Sequence, residues 1–379
     1  MLGKDFFSNI LFYIPLIVFG TGLIIQLFYY WYFYARTAFG RMVSPAIDEL
    51  PPVSVVICAK NEAENLKKFL PSILEQDYPD FEVVVVNDAS TDDTEIVLGE
   101  YKAKYPRLRV TFLSEDKKFS HGKKLALTIG IKASKNEFLL FTDADCYAPH
   151  KLWIRSMAQN YDDSTELLLG YGGYVSEKKL LNNIIRYDTF FIGMQYLGFA
   201  RAGIPYMGVG RNLSYRKNIF FRQKGFASHS FLRSGDDDLF VNEVATGKNT
   251  RVEYSLSSQT RSIPENSWKS WAKQKNRHIT TSRYYRASHK VLLFLEPFSR
   301  LLMYGGLIWI IVINYYIYHA LIALSVRIIS QLFIIKYSMR RLNEKNLLLT
   351  SLMYDIFLPF IYLVFRISKI FGRKKNRWM

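Results

Sequence analysis

Thirty consecutive residues, Phe6 to Ala35, carry no charged side chain, and about 20 apolar residues suffice to cross a bilayer. The stretch is too long for a signal-peptide core and no small-residue cleavage site follows it, so a retained transmembrane helix is expected over residues 1–36. Tyr29, Tyr30, Trp31, Tyr32 and Tyr34 crowd its C-terminal end, as an interfacial aromatic belt does. Lys4 and Asp5 cancel on one flank, whereas Arg36 and Arg41 follow the other. The positive-inside rule therefore puts the residues after 36 in the cytoplasm.

A second apolar block fills residues 291–370 and divides into 291–313, 315–335 and 347–370, with the basic break Lys336–Lys345 before the last. Glu296, Arg300, Arg327, Asp355 and Arg366 interrupt it. Ionisable groups at membrane depth are expensive, so these are expected to face protein, water or headgroups. Three full spans would carry the basic tail, 371–379, outside, against the positive-inside trend. Segments lying flat in the interface are the alternative. The balance of 50 Lys and Arg against 33 Asp and Glu, a formal +17, admits nucleic acid or an anionic membrane surface as partner. The two apolar blocks favour the membrane. Two cysteines, Cys58 and Cys146, cannot build a disulfide framework and point to a reducing compartment.

Residues 50–265 read as a different kind of chain. Val53–Ala59, Phe81–Asn87, Leu108–Leu113 and Glu137–Thr142 are short apolar runs suited to buried parallel strands. Helical patterns alternate with them over 62–75, 92–104 and 122–133. This alternation implies a doubly wound α/β domain, whose ligands bind beyond the carboxyl ends of the strands.

The strand ends carry the candidate chemistry. The first ends in Lys60-Asn61-Glu62 with no glycine fingerprint, which argues against a dinucleotide site. The second ends in Asn87-Asp88-Ala89-Ser90, where Asp88 either contacts a base or ribose or serves in a helix cap. The fourth ends in Asp143-Ala144-Asp145; two carboxylates one residue apart suit Mg²⁺ or Mn²⁺ sharing phosphate oxygens. Gly235-Asp236-Asp237-Asp238 heads an amphipathic segment, where carboxylates complement a helix dipole or one of them is a general base. From 251 to 290 nine Lys or Arg face two Glu, interleaved with Trp268, Trp271, Tyr284 and Tyr285. Such a segment binds single-stranded nucleic acid or lies on an anionic membrane. Its position before the second apolar block favours an amphipathic interfacial role for 266–290, without nucleic acid.

Taken in order, VSVVICAKNE (53–62), NDASTD (87–92), HGKKLALTIGI (121–131), DAD (143–145), GVGRN (208–212), GDDDL (235–239) and QKNRH (274–278) resemble the family-2 glycosyltransferases. These are membrane-attached enzymes of GT-A fold, among them processive polysaccharide synthases and ceramide glucosyltransferases. The resemblance covers about 50–290, with terminal helices in keeping. It implies an inverting transfer from a nucleotide-diphospho-sugar, expected to be a UDP-sugar, to a lipid-linked or glycan acceptor. Processive polymer synthesis and a catalytically inactive sensor or scaffold are the alternatives. By the same resemblance Glu62 and Asp88 contact the nucleoside and Lys123 lies near the diphosphate. Asp143 and Asp145 form the D-x-D motif, which holds Mg²⁺ or Mn²⁺. Asp236 is the catalytic base, with Asp237 the other candidate because Gly235 replaces the usual Glu. Gln274 and Arg277 line the acceptor and diphosphate end of the pocket, where His278 replaces the usual Trp. Lys60 stands where many members have Tyr. Gly172-Gly173 and Gly208–Gly210 are expected to admit a close backbone approach near substrate, and His121 and His150 to be structural. The expected setting is a bacterial cell (inner) membrane, with the catalytic domain cytoplasmic.

Overall fold

The computed structural model describes residues 2–41, 49–114, 122–232 and 234–372. Two compact units emerge: Met1–Gly40 with Arg286–Arg340 and Lys345–Met379, and Arg41–Tyr285 with Arg341–Glu344. His121 and the tail beyond Gly372 lie outside the described residues.

The first unit begins with α1 (Leu2–Phe28), a π-helical turn (Tyr29–Tyr34) and α2 (Ala35–Phe39). It resumes, after the second unit, with α11 (Ala287–Ile313), α12 (Ile317–Arg341) and α13 (Thr350–Gly372). Three stretches are long and apolar enough to span a membrane: Tyr13–Phe39, Ala287–Ile313 and Ile317–Arg341. Ile24, Val312, Ile322 and Ile329, each about two-thirds exposed or more, give them an apolar outer surface of the kind a bilayer covers.

The basic break expected at Lys336–Lys345 is only partly a break, because α12 continues through Lys336 to Arg341. Likewise 266–290 is not one segment: its helix ends at Ser282 and α11 starts at Ala287. The ionisable residues turn inward. Asp355 pairs with Arg327 at 2.8 Å and Arg300 at 3.3 Å, Arg300 also pairs with Glu296, and Gln26 accepts from Arg327 at 3.0 Å. Tyr304 donates to Asp355 at 2.9 Å. Four of the five interrupting charges therefore face protein, as the cost of burying charge demands.

The second unit is built on a seven-stranded sheet of order β3-β2-β1-β4-β8-β6-β9. Its strands are β1 (Val53–Ala59), β2 (Phe81–Asp88), β3 (Leu108–Leu113), β4 (Phe138–Phe141), β6 (Leu167–Gly170), β8 (Leu213–Arg216) and β9 (Thr250–Glu253). The four strands expected from the sequence pair in parallel, linked by α3 (Ala63–Leu74), α4 (Thr94–Lys104) and α5 (Lys123–Ala133). Val53, Val55 and Ile57 pack in one core with Leu66, Leu70 and Ile73 of α3 and Trp153 of α6 (Trp153–Ala158). On the opposite face Gly130 of α5 comes against Val56 and Val86. Both faces are covered, which is why β2 is buried at every position; each valine so buried is worth about 1.5–3 kcal/mol.

Beyond β4 the sheet stops being parallel. β8 runs antiparallel to both β4 and β6, so the sheet is mixed rather than wholly parallel. A smaller sheet joins β5 (Cys146–Tyr147), β10 (Thr260–Ser262) and β7 (Gly172–Tyr174). The remaining helices are α7 (Leu180–Arg201), α8 (Lys217–Arg222), α9 (Asp238–Val244) and α10 (Trp268–Ser282). Strand order reverses between β1 and β4, and a crevice opens at such a switch point. Between α12 and α13 the chain re-enters this unit for four residues. Glu344 there pairs with Arg186 at 2.7 Å and Arg261 at 3.2 Å and accepts from Tyr171 at 3.1 Å, all deeply buried.

Candidate active site

The crevice between the ends of β1 and β4 is lined by Cys58, Lys123, Thr142, Asp143, Asp236 and Asp237. Three separate sequence motifs meet here because β4 delivers Asp143, the start of α5 delivers Lys123, and the loop before α9 delivers the acidic run. Lys123 Nζ bridges Asp143 at 2.6 Å and Asp236 at 3.3 Å. Desolvation works against its charge, but Asp143, Asp236 and Asp237 outweigh it and hold the ammonium well above its ordinary range. Asp143 is likewise desolvated, yet Lys123, Arg211 and Arg277 pull its carboxyl down. Asp145 is pushed up by desolvation and by Asp143; Ser262 of β10 donates to it at 2.8 Å.

The three consecutive aspartates do different work. Asp238 is buried and accepts from Thr281 and from Tyr285 at 2.8 Å, tying the acidic run to the end of α10. Asp237 accepts from the Gly210 amide at 2.8 Å and caps α9 through the Asp238 amide at 2.8 Å. Desolvation, then Asp236 and Asp238, push its carboxyl up to about 7. Asp236 contacts Lys123 across the crevice. Gly235 fits its place physically: its φ is +98°, and a Cβ would meet Leu239 Cδ1 at 2.5 Å. The glutamate usual in the resembled motif would be strained there.

At the far end of β1 the two loops interlock. Asn61 accepts from the Thr91 amide at 2.7 Å, and Asp92 accepts from the Ala63 and Thr94 amides, each at 3.1 Å. The helix capping considered for Asp88 therefore falls to Asp92, while Asp88 lies 3.9 Å from Lys60. Glu62 accepts from Asn65 at 2.6 Å, and desolvation with Asp145 and Asp143 raises its carboxyl.

Gln274, Arg277 and His278 sit on α10. Gln274 reaches Tyr174 of β7 at 3.4 Å, and Arg277 is close enough to the crevice to lower Asp143. Desolvation and the cations Lys275, Arg277, Arg211 and Lys123 push His278 down to about 3, although the residue is exposed. It is neutral at physiological pH.

Gly172 and Gly173 differ from expectation. The Cβ of Arg211 lies beside Gly172 and the guanidinium of Arg261 beside Gly173, each in space a Cβ would need; the glycines make room for arginine side chains of the protein itself. Gly210 brings its backbone close to Lys123 and Asp237. Sequence reasoning missed Ser262, Tyr174 and Thr281, which carry no local signal, and read Tyr285 only as part of the basic, aromatic segment. Arg211 stood inside the quoted GVGRN run and could have been singled out.

For a metal, Asp143, Asp145 and Cys146 present ligand atoms within 4.8 Å of one another. The two carboxylates fit a hard divalent ion such as Mg²⁺ or Mn²⁺; a thiol is too soft to be a preferred third ligand.

Residues 54–222 match the family model for glycosyl transferase family 2. The chain carries a glycosyl transferase family 2 domain of GT-A fold. It is 38% identical over 184 residues to glycosyltransferase AglE of Haloferax volcanii, covering 46% of this chain and 53% of that protein. It is 27% identical over 263 residues to the probable glycosyltransferase YdaM of Bacillus subtilis, covering 67% and 59%. The chain thus spans somewhat more than half the length of these curated relatives. Among solved structures, the mannosyltransferase PcManGT of Pyrobaculum calidifontis, in complex with GDP-Man and Mn²⁺, superposes with a TM-score of 0.57 at 20% identity. The match covers 87% of this chain and 97% of that one.

Proposed function

We propose that the protein is an inverting glycosyltransferase acting at a membrane, moving a sugar from a nucleotide-diphospho-sugar to a lipid-linked or glycan acceptor. The observation that carries the reading is Lys123 bridging Asp143 and Asp236, which assembles three distant motifs into one crevice. Glu62 and Asp88 are assigned to the nucleoside, expected to be uridine, at the β1 and β2 ends. Asp145 and Asp143 would hold Mg²⁺ or Mn²⁺, which supplies charge neutralisation to the diphosphate when bound. Lys123 and Arg277 add positive charge where the leaving diphosphate develops its own.

Asp236 is assigned as the base that takes the proton from the acceptor hydroxyl as it attacks the anomeric carbon. Asp237 and Asp238 are assigned a positioning role, because their hydrogen bonds are committed to Gly210, α9 and α10. One displacement inverts the anomeric centre, so an α-linked donor gives a β-linkage. Gln274 and His278 border the acceptor end; a neutral imidazole there offers a hydrogen bond without competing for the diphosphate. The apolar helices support anchorage in a bilayer, with a bacterial inner membrane and a cytoplasmic catalytic domain as the proposed setting.

The test is nucleotide release from UDP- and GDP-sugars by detergent-purified full-length protein, with and without Mn²⁺ or Mg²⁺. Metal-dependent release from one donor is expected. Absence of both release and nucleoside-diphosphate binding across the panel overturns the reading.

A further inference from the structure

Arg211 lies beside the two carboxylates of the D-x-D motif and is not used by the mechanism above. Its backbone is pinned on both sides, for its carbonyl accepts from Thr142 at 3.1 Å and from Thr260 at 2.9 Å. Its guanidinium lies 4.3 Å over the Tyr174 ring, and Gly172 leaves room for the base of the side chain: a Cβ there would meet Arg211 Cβ at 2.9 Å. The protein therefore commits a buried tyrosine and a glycine to holding this one side chain in place.

A buried guanidinium beside carboxylates ordinarily bonds to them. Arg211 is near enough to lower both Asp143 and Asp145, yet its Nη1 is buried and has no hydrogen-bond partner among the described residues. Both carboxylates are already engaged, Asp143 with Lys123 and Asp145 with Ser262. A cation fixed in orientation, with donor capacity unspent, next to the residues assigned to the metal, suits an anion that arrives with the metal. Guanidinium's planar fork matches phosphate oxygens better than a point charge does. Tyr174, its platform, also receives Gln274 of α10 at 3.4 Å, so the group is connected to the helix that borders the acceptor.

We propose that Arg211 binds the diphosphate of the sugar donor, donating from its guanidinium to phosphate oxygens and stabilising the nucleoside diphosphate as it leaves. This inference rests on the glycosyltransferase reading. It adds a diphosphate ligand from the β7 side of the crevice to Lys123 and Arg277, and it assigns Gly172 and Tyr174 as positioning residues.

The experiment compares binding of nucleoside diphosphate and nucleoside monophosphate (UDP with UMP, GDP with GMP) to detergent-purified full-length protein at fixed Mn²⁺, alongside donor turnover. Arg211→Met is expected to weaken the diphosphate about 10²-fold and lower kcat/KM comparably, while the monophosphate changes less than about threefold. Arg211→Lys keeps the charge without the fork and should recover part of the loss. Thermal unfolding checks that each variant is folded; if Arg211→Met is not, Arg211→Lys carries the test, with about a tenfold selective loss for the diphosphate expected. Unchanged diphosphate binding, or equal loss for both nucleotides, makes Arg211 a structural counter-charge and overturns the proposal. A wild-type protein that binds no nucleoside diphosphate at all overturns the glycosyltransferase reading itself.

Discussion

The helical unit and the crevice each bring arginines and carboxylates together away from bulk water, and they resolve the charge in opposite ways. Among the helices Glu296 and Asp355 face Arg300 and Arg327, two against two, with Gln26 and Tyr304 adding hydrogen bonds and the Nε of Arg327 buried without a partner among the described residues. In the crevice Asp143, Asp145, Asp236, Asp237 and Asp238 outnumber the cations that touch them, and Arg211 retains a buried nitrogen without a partner. The first cluster balances its charges and ties helices together. The second keeps an excess of carboxylates that a divalent metal ion would offset. The same residue types thus read as structure or as site according to whether their charges balance within the protein.

The comparison can be broken at either end. Asp236→Asn should cost about 10³- to 10⁴-fold in kcat and leave nucleotide affinity nearly unchanged, read by donor turnover and by UDP or GDP binding. Retained turnover would move the base elsewhere. Asp355→Leu strands two buried guanidinium groups and should lower stability by about 3–5 kcal/mol, read as thermal unfolding in detergent. The folded remainder should turn over donor at the wild-type rate; a specific loss of kcat would make the helical cluster part of the site. Asp145→Ala should weaken metal-dependent nucleotide binding by about 10- to 100-fold, with little change in unfolding temperature.

Asp237 sharpens the comparison through pH. Its folded pKa, about 7, lies above its unfolded value, so its contribution to stability is present in acid and is lost as pH rises toward 7. Asp237→Asn lacks that loss. Its unfolding temperature should gain on the wild type between about pH 4 and pH 7 and run parallel above; a constant difference across that window would refute the shift. The smallest effect belongs to Ser262→Ala, which removes one hydrogen bond to Asp145 and should weaken metal-dependent nucleotide binding by only a few-fold.

The parallel half of the sheet was legible because strands covered on both faces become continuous apolar runs, as in Val83–Val86. β8 was not, because Leu213–Arg216 is four residues long and mixed in character, and its antiparallel placement depends on partners far away in sequence. The charged positions of the crevice stood out as motifs, but their division of labour did not. Three adjacent aspartates look alike in sequence and are separated by Gly210, Thr281 and Tyr285, each many residues distant. The inward charges of the apolar block were foreseeable from cost alone; which acid meets which arginine required helix packing.

Glu344 has a practical bearing on how the protein is handled. A chain cut after Tyr285 keeps every motif of the crevice. It would also discard the carboxylate that neutralises Arg186 and Arg261 inside the domain, at a cost of about 3–5 kcal/mol out of a total that is typically 5–15. The fragment would be expected to express poorly and to lose the floor under β7 and β10, the strands bearing Tyr174 and Ser262. A workable shortened version must carry residues 341–344 back to β7 and β10, so the apolar helices between them are an insertion in the sequence of the second unit rather than an appendage after it.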